Sequence, residues 1–192
     1  MRFRPSLGEP MRLFTPTHGR LLSAVLLAAL TFGALTAGVA SGGAGSRLAV
    51  NSLELSAIAQ INEVRVQHGL VPLKLSRALF DSASAHCSDM VAGGYFDHDS
   101  ASGVGVGARL EAFYRPANHR FYKAGENLLW TTGTMSPARM VALWMQSPEH
   151  RQNLLDPAWR QIGLATLTVP SAPGVYAGSA VTVVTVDFGV RQ

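Results

Sequence analysis

The chain has 192 residues, 47% of them hydrophobic and 15% charged, which suits one domain with a full core and argues against two domains or a disordered chain. Its formal net charge is +4, but Arg2, Arg4, Arg12 and Arg20 face only Glu9 within residues 1–40, so most of the surplus sits there. The remainder is close to neutral, which excludes nucleic acid as a partner held by a general basic surface.

Arg12 and Arg20 precede an uncharged apolar run from Leu21 to Leu30, followed by small residues up to Gly38-Val39-Ala40. Small residues at the −3 and −1 positions are what a signal peptidase accepts. The uncharged stretch 21–40 also reaches the roughly 20 residues that span a bilayer. Residues 1–40 therefore read as a cleaved signal peptide or as a retained N-terminal membrane anchor. Either way the rest is expected to be extracellular or in the cell envelope. Residues 41–52, opening with Ser41-Gly42-Gly43-Ala44-Gly45-Ser46, read as a flexible linker, and 53–192 as the domain.

The first helix is expected from about Leu53 to His68. Its inner face would run through Leu55, Ile58, Ile61 or Asn62, and Arg65 or Val66, and Gly69 falls where a left-handed cap belongs. Pro72 and Leu73 read as an extended connection. Ser76 is placed to cap a second helix that reaches Ala92 and ends at Gly93-Gly94. Leu79, Ala83, Cys87 and Met90 share one face of it. Cys87 is the single cysteine, expected as a small buried hydrophobe rather than a nucleophile.

Tyr95 to Gly107 reads as a glycine-rich loop and Arg109–Phe113 as a short helix. Ala124–Thr132 reads as a strand. Ser136 and Pro137 mark the N-cap and first position of a third main helix, with Met140, Val141, Leu143 and Trp144 inward and Pro148 as its stop. Ile162–Val169 and Val181–Val190 read as a hairpin. The order of elements suggests an antiparallel sheet covered by helices.

Of the six histidines, His68, His86 and His119 have no context that singles them out, and His18 lies in the leader. His98, in Tyr95-Phe96-Asp97-His98-Asp99, follows a helix at the start of the glycine-rich loop. His150, in Ser147-Pro148-Glu149-His150-Arg151, follows the third helix. Between them Gly125-Glu126-Asn127 sets a carboxylate at the entrance to an apolar strand, where it needs hydrogen-bonding or charged partners.

Several of these pieces occur together, in order. Asn62-x-x-Arg65, Phe96-Asp97-His98, Gly125-Glu126-Asn127, Trp144-Met145-x-Ser147-Pro148-x-His150-Arg151-x-Asn153-Leu154-Leu155, Ile162-Gly163 and Asp187-Phe188-Gly189 resemble a bacterial domain of the CAP superfamily (cysteine-rich secretory, antigen 5 and pathogenesis-related 1 proteins) across residues 55–190. The resemblance implies an α+β fold, a three-layer α-β-α sandwich with a mainly antiparallel central sheet. It also implies a cleft of two histidines and two acids that takes a divalent metal, often zinc. Carried over, these are His98, His150 and Glu126. The second acid falls at Ser147 and is missing, with Glu149 the nearest substitute.

Two imidazoles and a carboxylate would make an open zinc site able to activate water. The same three residues also read as a metal-free brace in which Glu126 accepts from the histidines. No Gly-x-Ser-x-Gly or His-Glu-x-x-His motif is present, so turnover is not the leading expectation. The leading one is a non-catalytic exported module for a small apolar or envelope-derived ligand, since lipid and sterol binders occur among proteins of this type. A metal-dependent hydrolase of peptide or cell-wall material and a structural envelope protein with an inert cleft are the alternatives. Attachment to a membrane would run through residues 21–40.

Trp130, Trp144 and Trp159 are expected to pack, with Trp159 the best exposed candidate for stacking on a ligand. Arg109, Arg115, Arg120 and Lys123, interleaved with Phe113, Tyr114, Phe121 and Tyr122, are expected as a solvated loop flank. A surface for anionic polymer or lipid is the alternative.

Overall fold

In the computed structural model, residues 50–115 and 121–192 are described. The leader, most of the linker, His119 and Arg120 lie outside the described residues. The elements are α1 (Ser52–Gln67), β1 (Lys74–Leu75), α2 (Arg77–Gly93), α3 (Val106–Phe113), β2 (Tyr122–Thr132), α4 (Pro137–Gln146), α5 (Pro148–Leu154), β3 (Gln161–Val169) and β4 (Val181–Arg191). A short 3₁₀ turn, Gly174–Tyr176, lies between β3 and β4.

The four strands form one sheet in the order β1-β3-β4-β2. β4 pairs antiparallel with β2 and β3, and the short β1 pairs parallel with β3. Helices cover both faces, so the fold is the α+β three-layer sandwich with a mainly antiparallel sheet. Alternation along β4 sends Val184, Val186, Phe188 and Val190 to one side, where they pack with Ile58 and Ile61 of α1 and Met140, Val141 and Trp144 of α4. Val181 and Val183 face α2, against Ala83, Cys87 and Met90. Among the described residues no helix is long and apolar enough to cross a membrane.

α1 starts one residue earlier than expected because Asn51 and Glu54 form a capping box: Glu54 N–H donates to Asn51 Oδ1 (2.9 Å) and Asn51 N–H to Glu54 Oε2 (2.8 Å). Its end closes as a Schellman motif, with Gly69 at φ 72° and the Leu70 N–H on the Arg65 carbonyl at 2.9 Å. The inward face differs in part from the expected one. Leu55 and Val66 are exposed, while Glu54, Ala57, Ile58, Ile61 and Arg65 turn inward. Ile58, Ile61 and Arg65 keep the expected face, and hydrogen bonding accounts for the burial of Glu54 and Arg65. Arg65 donates to the carbonyls of Val71 (3.1 Å), Leu154 (2.8 Å) and Asp156 (3.1 Å), and Thr166 N–H reaches Glu54 Oε1 at 2.8 Å. Asn62 closes both sides of Leu73, accepting its N–H at 2.7 Å and donating to its carbonyl at 3.0 Å.

α2 matches its expected face, with Leu79, Ala83, Cys87 and Met90 all buried. It lies directly on the sheet at Gly163, where a Cβ would stand 2.1 Å from the backbone of Leu79 and Phe80. Only glycine allows that approach. Pro148 does end α4, but it also begins α5 at its first helical position, so His150 stands on a helix rather than in a loop. Proline lacks an N–H, and none is needed in a first turn, so the residue that stops one helix can open the next.

Trp159 is buried rather than exposed. Its indole N–H donates to the Asn153 carbonyl (2.8 Å), its ring stacks on Phe188 at 6.1 Å, and Lys123 Nζ lies over it at 4.6 Å. Trp130 is the half-exposed tryptophan, edge-on to Tyr176 at 5.2 Å. The basic stretch also dissolves. Arg109 is buried, Lys123 pairs with Asp156, and only Arg115 is left exposed among its described members with no acidic partner.

Candidate functional site

The loop after α2 carries His98. It leaves the helix at Gly94 (φ 66°), which sits against Gly174 so closely that a Cβ there would be 3.0 Å from Gly174 Cα. Gly94's carbonyl accepts the Val175 N–H at 2.9 Å, and the Tyr176 hydroxyl donates to the Tyr95 carbonyl at 2.7 Å. Further on, Asp99 Oδ1 accepts the Val106 N–H at 2.9 Å, tying the loop to the start of α3. These contacts leave the loop few ways to move His98.

Glu126 lies on β2, an edge strand, opposite Asp187 of β4. Its side chain is 1% exposed, and both oxygens are engaged. Oε1 bonds His98 Nδ1 at 2.8 Å, and Oε2 accepts from Arg109 NH2 at 2.5 Å. Arg109, on α3, also donates through NH1 to the His98 carbonyl at 2.6 Å. One guanidinium therefore clamps both the carboxylate and the backbone of the loop it orients. The His98 ring is 47% exposed on its side chain. With Nδ1 bonded to a carboxylate, the neutral tautomer keeps its proton there and leaves the Nε2 lone pair free.

His150 approaches from the other side of the β2 edge. Asn153 of α5 donates to the outward-facing carbonyl of Glu126 (2.9 Å) and to Asn127 Oδ1 (3.0 Å), and Asn127 Nδ2 donates to the His150 carbonyl at 2.9 Å. This explains the Glu126-Asn127 and His150-Arg151-x-Asn153 motifs together: the asparagines fasten α5 to the free strand edge. The His150 ring is half-buried and is not among the groups bonded to Glu126.

The two imidazoles are driven apart in basicity. The Glu126 hydrogen bond raises His98 above its ordinary value, against the opposing effect of burial. Burial lowers His150, and the nearby His98 lowers it further while Glu149 opposes. Glu149 itself is exposed and accepts from the Ser147 hydroxyl at 3.2 Å, so it does not join the carboxylate of Glu126.

Two residues of this site were not singled out by sequence. Arg109 appeared only as one cation of a basic stretch. Asp187 was one letter of the Asp187-Phe188-Gly189 motif, yet it is fully buried beside Glu126. Burial, then the Glu126 charge, pushes its carboxyl well above the ordinary range, and the Ser82 hydroxyl opposes that rise without completing a hydrogen bond. The neutral acid is the form that fits. An acid inside the otherwise apolar run Val181–Val190 was the signal available. His86 is also buried, and burial lowers its basicity. Its Nε2 faces the Asp97 carbonyl at 2.9 Å, which can only accept, so the proton sits on Nε2.

Among the described residues no group of three or more His, Cys, Asp and Glu is placed to hold a metal ion. Glu126 is buried, and both of its oxygens are already engaged by His98 and Arg109. His98, Glu126 and His150 do not fit as a three-ligand set. His98 Nε2 remains open as a donor, with Glu126 behind the ring as the group that orients it. Cys87 adds nothing to the site. It is buried, bonded to Thr185 Oγ1 at 3.2 Å, and burial pushes its thiol up to about 12.

Comparison with known proteins gives a consistent picture. A family model described as "CAP: Cysteine-rich secretory protein family" matches residues 58–188. The protein YkwD of Bacillus subtilis is 32% identical over 116 residues, 60% of this chain and 43% of its own length. The chain thus spans less than half of that relative. A crystal structure of an extracellular protein containing an SCP domain from Bacillus anthracis is similar with a TM-score of 0.52 and 27% identity, covering 72% of this chain and 41% of that one. An outer surface protein of Borrelia burgdorferi shares the fold with a TM-score of 0.52 at 18% identity, covering 70% of this chain and 90% of its own.

Proposed function

Because the chain belongs to the CAP family, the cysteine-rich secretory proteins, through its match over residues 58–188, we propose that it is an exported, non-catalytic binding module. The extracellular and outer-surface descriptions of its structural relatives support export. The observation that carries the reading is the double engagement of Glu126 by His98 and Arg109. A general base needs an oxygen within reach of the proton it removes, and this carboxylate is 1% exposed with each oxygen already bonded to His98 or Arg109. Its work is to fix a histidine.

Bound at this cleft, a divalent ion such as zinc would supply a positively charged anchor for an oxygen or nitrogen donor of a ligand. His98 and His150 would hold it; Glu126 bonds His98 Nδ1 and sets the ring, and Arg109 holds the carboxylate in place.

Zinc titration by calorimetry tests the reading. One site is expected in the parent and none in His98→Ala or His150→Ala; unchanged binding in both variants would remove the cleft from the account. Steady hydrolysis of a peptide or peptidoglycan fragment, lost in those same variants, would replace a binding role with an enzymatic one.

A further inference from the structure

Lys74 on β1, Arg160 just before β3 and Arg191 at the end of β4 are far apart in sequence. They converge on one cavity of about 370 Å³, whose other lining residues are Val71, Pro72 and Gln161. No carboxylate lines it. The ion pairs among the described residues are Arg77–Asp81, His98–Glu126, Arg109–Glu126 and Lys123–Asp156, and none involves these three cations. In a domain whose charge outside the leader is nearly balanced, three unpaired cations around one hollow form a local positive field.

The cations are also held in place. Arg160 NH1 donates to the carbonyls of Pro157 (2.7 Å), Ala158 (3.1 Å) and Trp159 (2.8 Å). Arg191 lies 4.2 Å from the centre of the Tyr114 ring and donates through NH1 to the Arg115 carbonyl at 3.1 Å. Backbone bonds fasten the floor: Lys74 N–H to the Arg160 carbonyl and Arg160 N–H to the Gly189 carbonyl, each at 3.0 Å. A guanidinium has five N–H donors, so each arginine keeps several for a ligand. The Tyr114 hydroxyl donates to Gln161 Oε1 at 2.5 Å, which leaves the Gln161 amide –NH₂ as a further donor.

Two fixed forks and an ammonium match the several oxygens of a phosphate better than the two of a carboxylate. The cavity exceeds what a phosphate alone fills and lies at the small end of the roughly 300–1,000 Å³ of ligand pockets. Its Val71 and Pro72 wall suits carbon. We infer that this cavity, beginning at β1 on the sheet edge opposite Glu126, binds the phosphate ester of a small organic group, either free or as a lipid headgroup. The inference is independent of the histidine cleft.

The probe is glycerol phosphate, titrated into the protein by calorimetry with glycerol as the uncharged control. Saturable one-site binding of the ester, absent for glycerol and weakened by added salt, is expected. Lys74→Gln and Arg160→Gln should each weaken it at least tenfold. Lys74 has an exposed side chain, so that variant reads the site without risk to the fold. Cosedimentation with phosphatidylcholine vesicles carrying phosphatidylglycerol, but not with phosphatidylcholine alone, assigns the headgroup as source; binding of the soluble ester only assigns a free ester. No saturable binding to either phosphate probe overturns the inference. So does unchanged affinity in Lys74→Gln at the parent's melting temperature.

Discussion

On the α1 and α4 side of the sheet, β4 presents Val184, Val186, Phe188 and Val190 to Ile58, Ile61, Met140 and Trp144, with no ionisable side chain from the strand. On the α2 side the same strand presents Thr185 and Asp187, β2 adds Glu126, and α2 answers with Ser82, His86 and Cys87. On this side Ser82 Oγ, His86 Nδ1, Arg109 Nε, the Tyr122 hydroxyl and both Asp187 oxygens lack hydrogen-bond partners among the described residues, against Arg65 Nη2 on the α1 side. Each such group costs about 1–3 kcal/mol when left unsatisfied. One face stabilises the domain; the other gives up stability to hold the His98 loop in position.

Substitutions on the two faces separate these roles. Phe188→Ala, on the dry face, should cost about 3–5 kcal/mol, read from urea denaturation, and leave zinc affinity unchanged. A loss of zinc binding there would blur the division. Arg109→Ala should destabilise at the lower end of about 3–5 kcal/mol, because Glu126 stays buried with only His98 as partner. A loss within about 1 kcal/mol would mean that the guanidinium is not what holds the carboxylate. Glu126→Gln should weaken zinc about ten- to a hundredfold, the usual effect of losing the group behind a metal-bound histidine, measured by calorimetry.

Asp187→Asn should have the smallest effect in acid, within about 1 kcal/mol of the parent, and a distinctive pH profile. The folded carboxyl is raised above its unfolded value. Its contribution is therefore complete below the ordinary value of about 3.9 and is lost as pH rises through the folded value. The asparagine variant lacks that loss, so its melting temperature should gain on the parent's as pH rises. A constant gap would show that Asp187 titrates normally.

The sequence made much of the frame legible, because period and punctuation are local. Leu79, Ala83, Cys87 and Met90 repeat at helical spacing, Ser136-Pro137 marks a start, and the valines of 181–190 mark a buried strand. The contact of His98 with Glu126 was legible through their motifs, while His150 is not bonded to Glu126. What stayed hidden depends on partners distant in the chain. Arg65 looked interchangeable with Val66 until three backbone carbonyls claimed it. Arg109 looked like a surface cation because nothing near it in sequence shows that Glu126 lies behind it. Lys74, Arg160 and Arg191 share a cavity through strand pairing that no local pattern encodes. Trp159 looked the least sheltered of the packed tryptophans since its cover, Phe188 and Lys123, comes from β4 and β2.

The central claim is that Glu126 orients a histidine and does not bind an ion itself. A crystal of the protein grown with zinc, with anomalous data at the zinc edge, tests it most directly. The account predicts an ion bonded by His98 Nε2 and His150 at about 2.0–2.1 Å, with Glu126 still on His98 Nδ1 and Arg109. A Glu126 oxygen inside the coordination sphere with Arg109 displaced, or an ion away from both histidines, would contradict it.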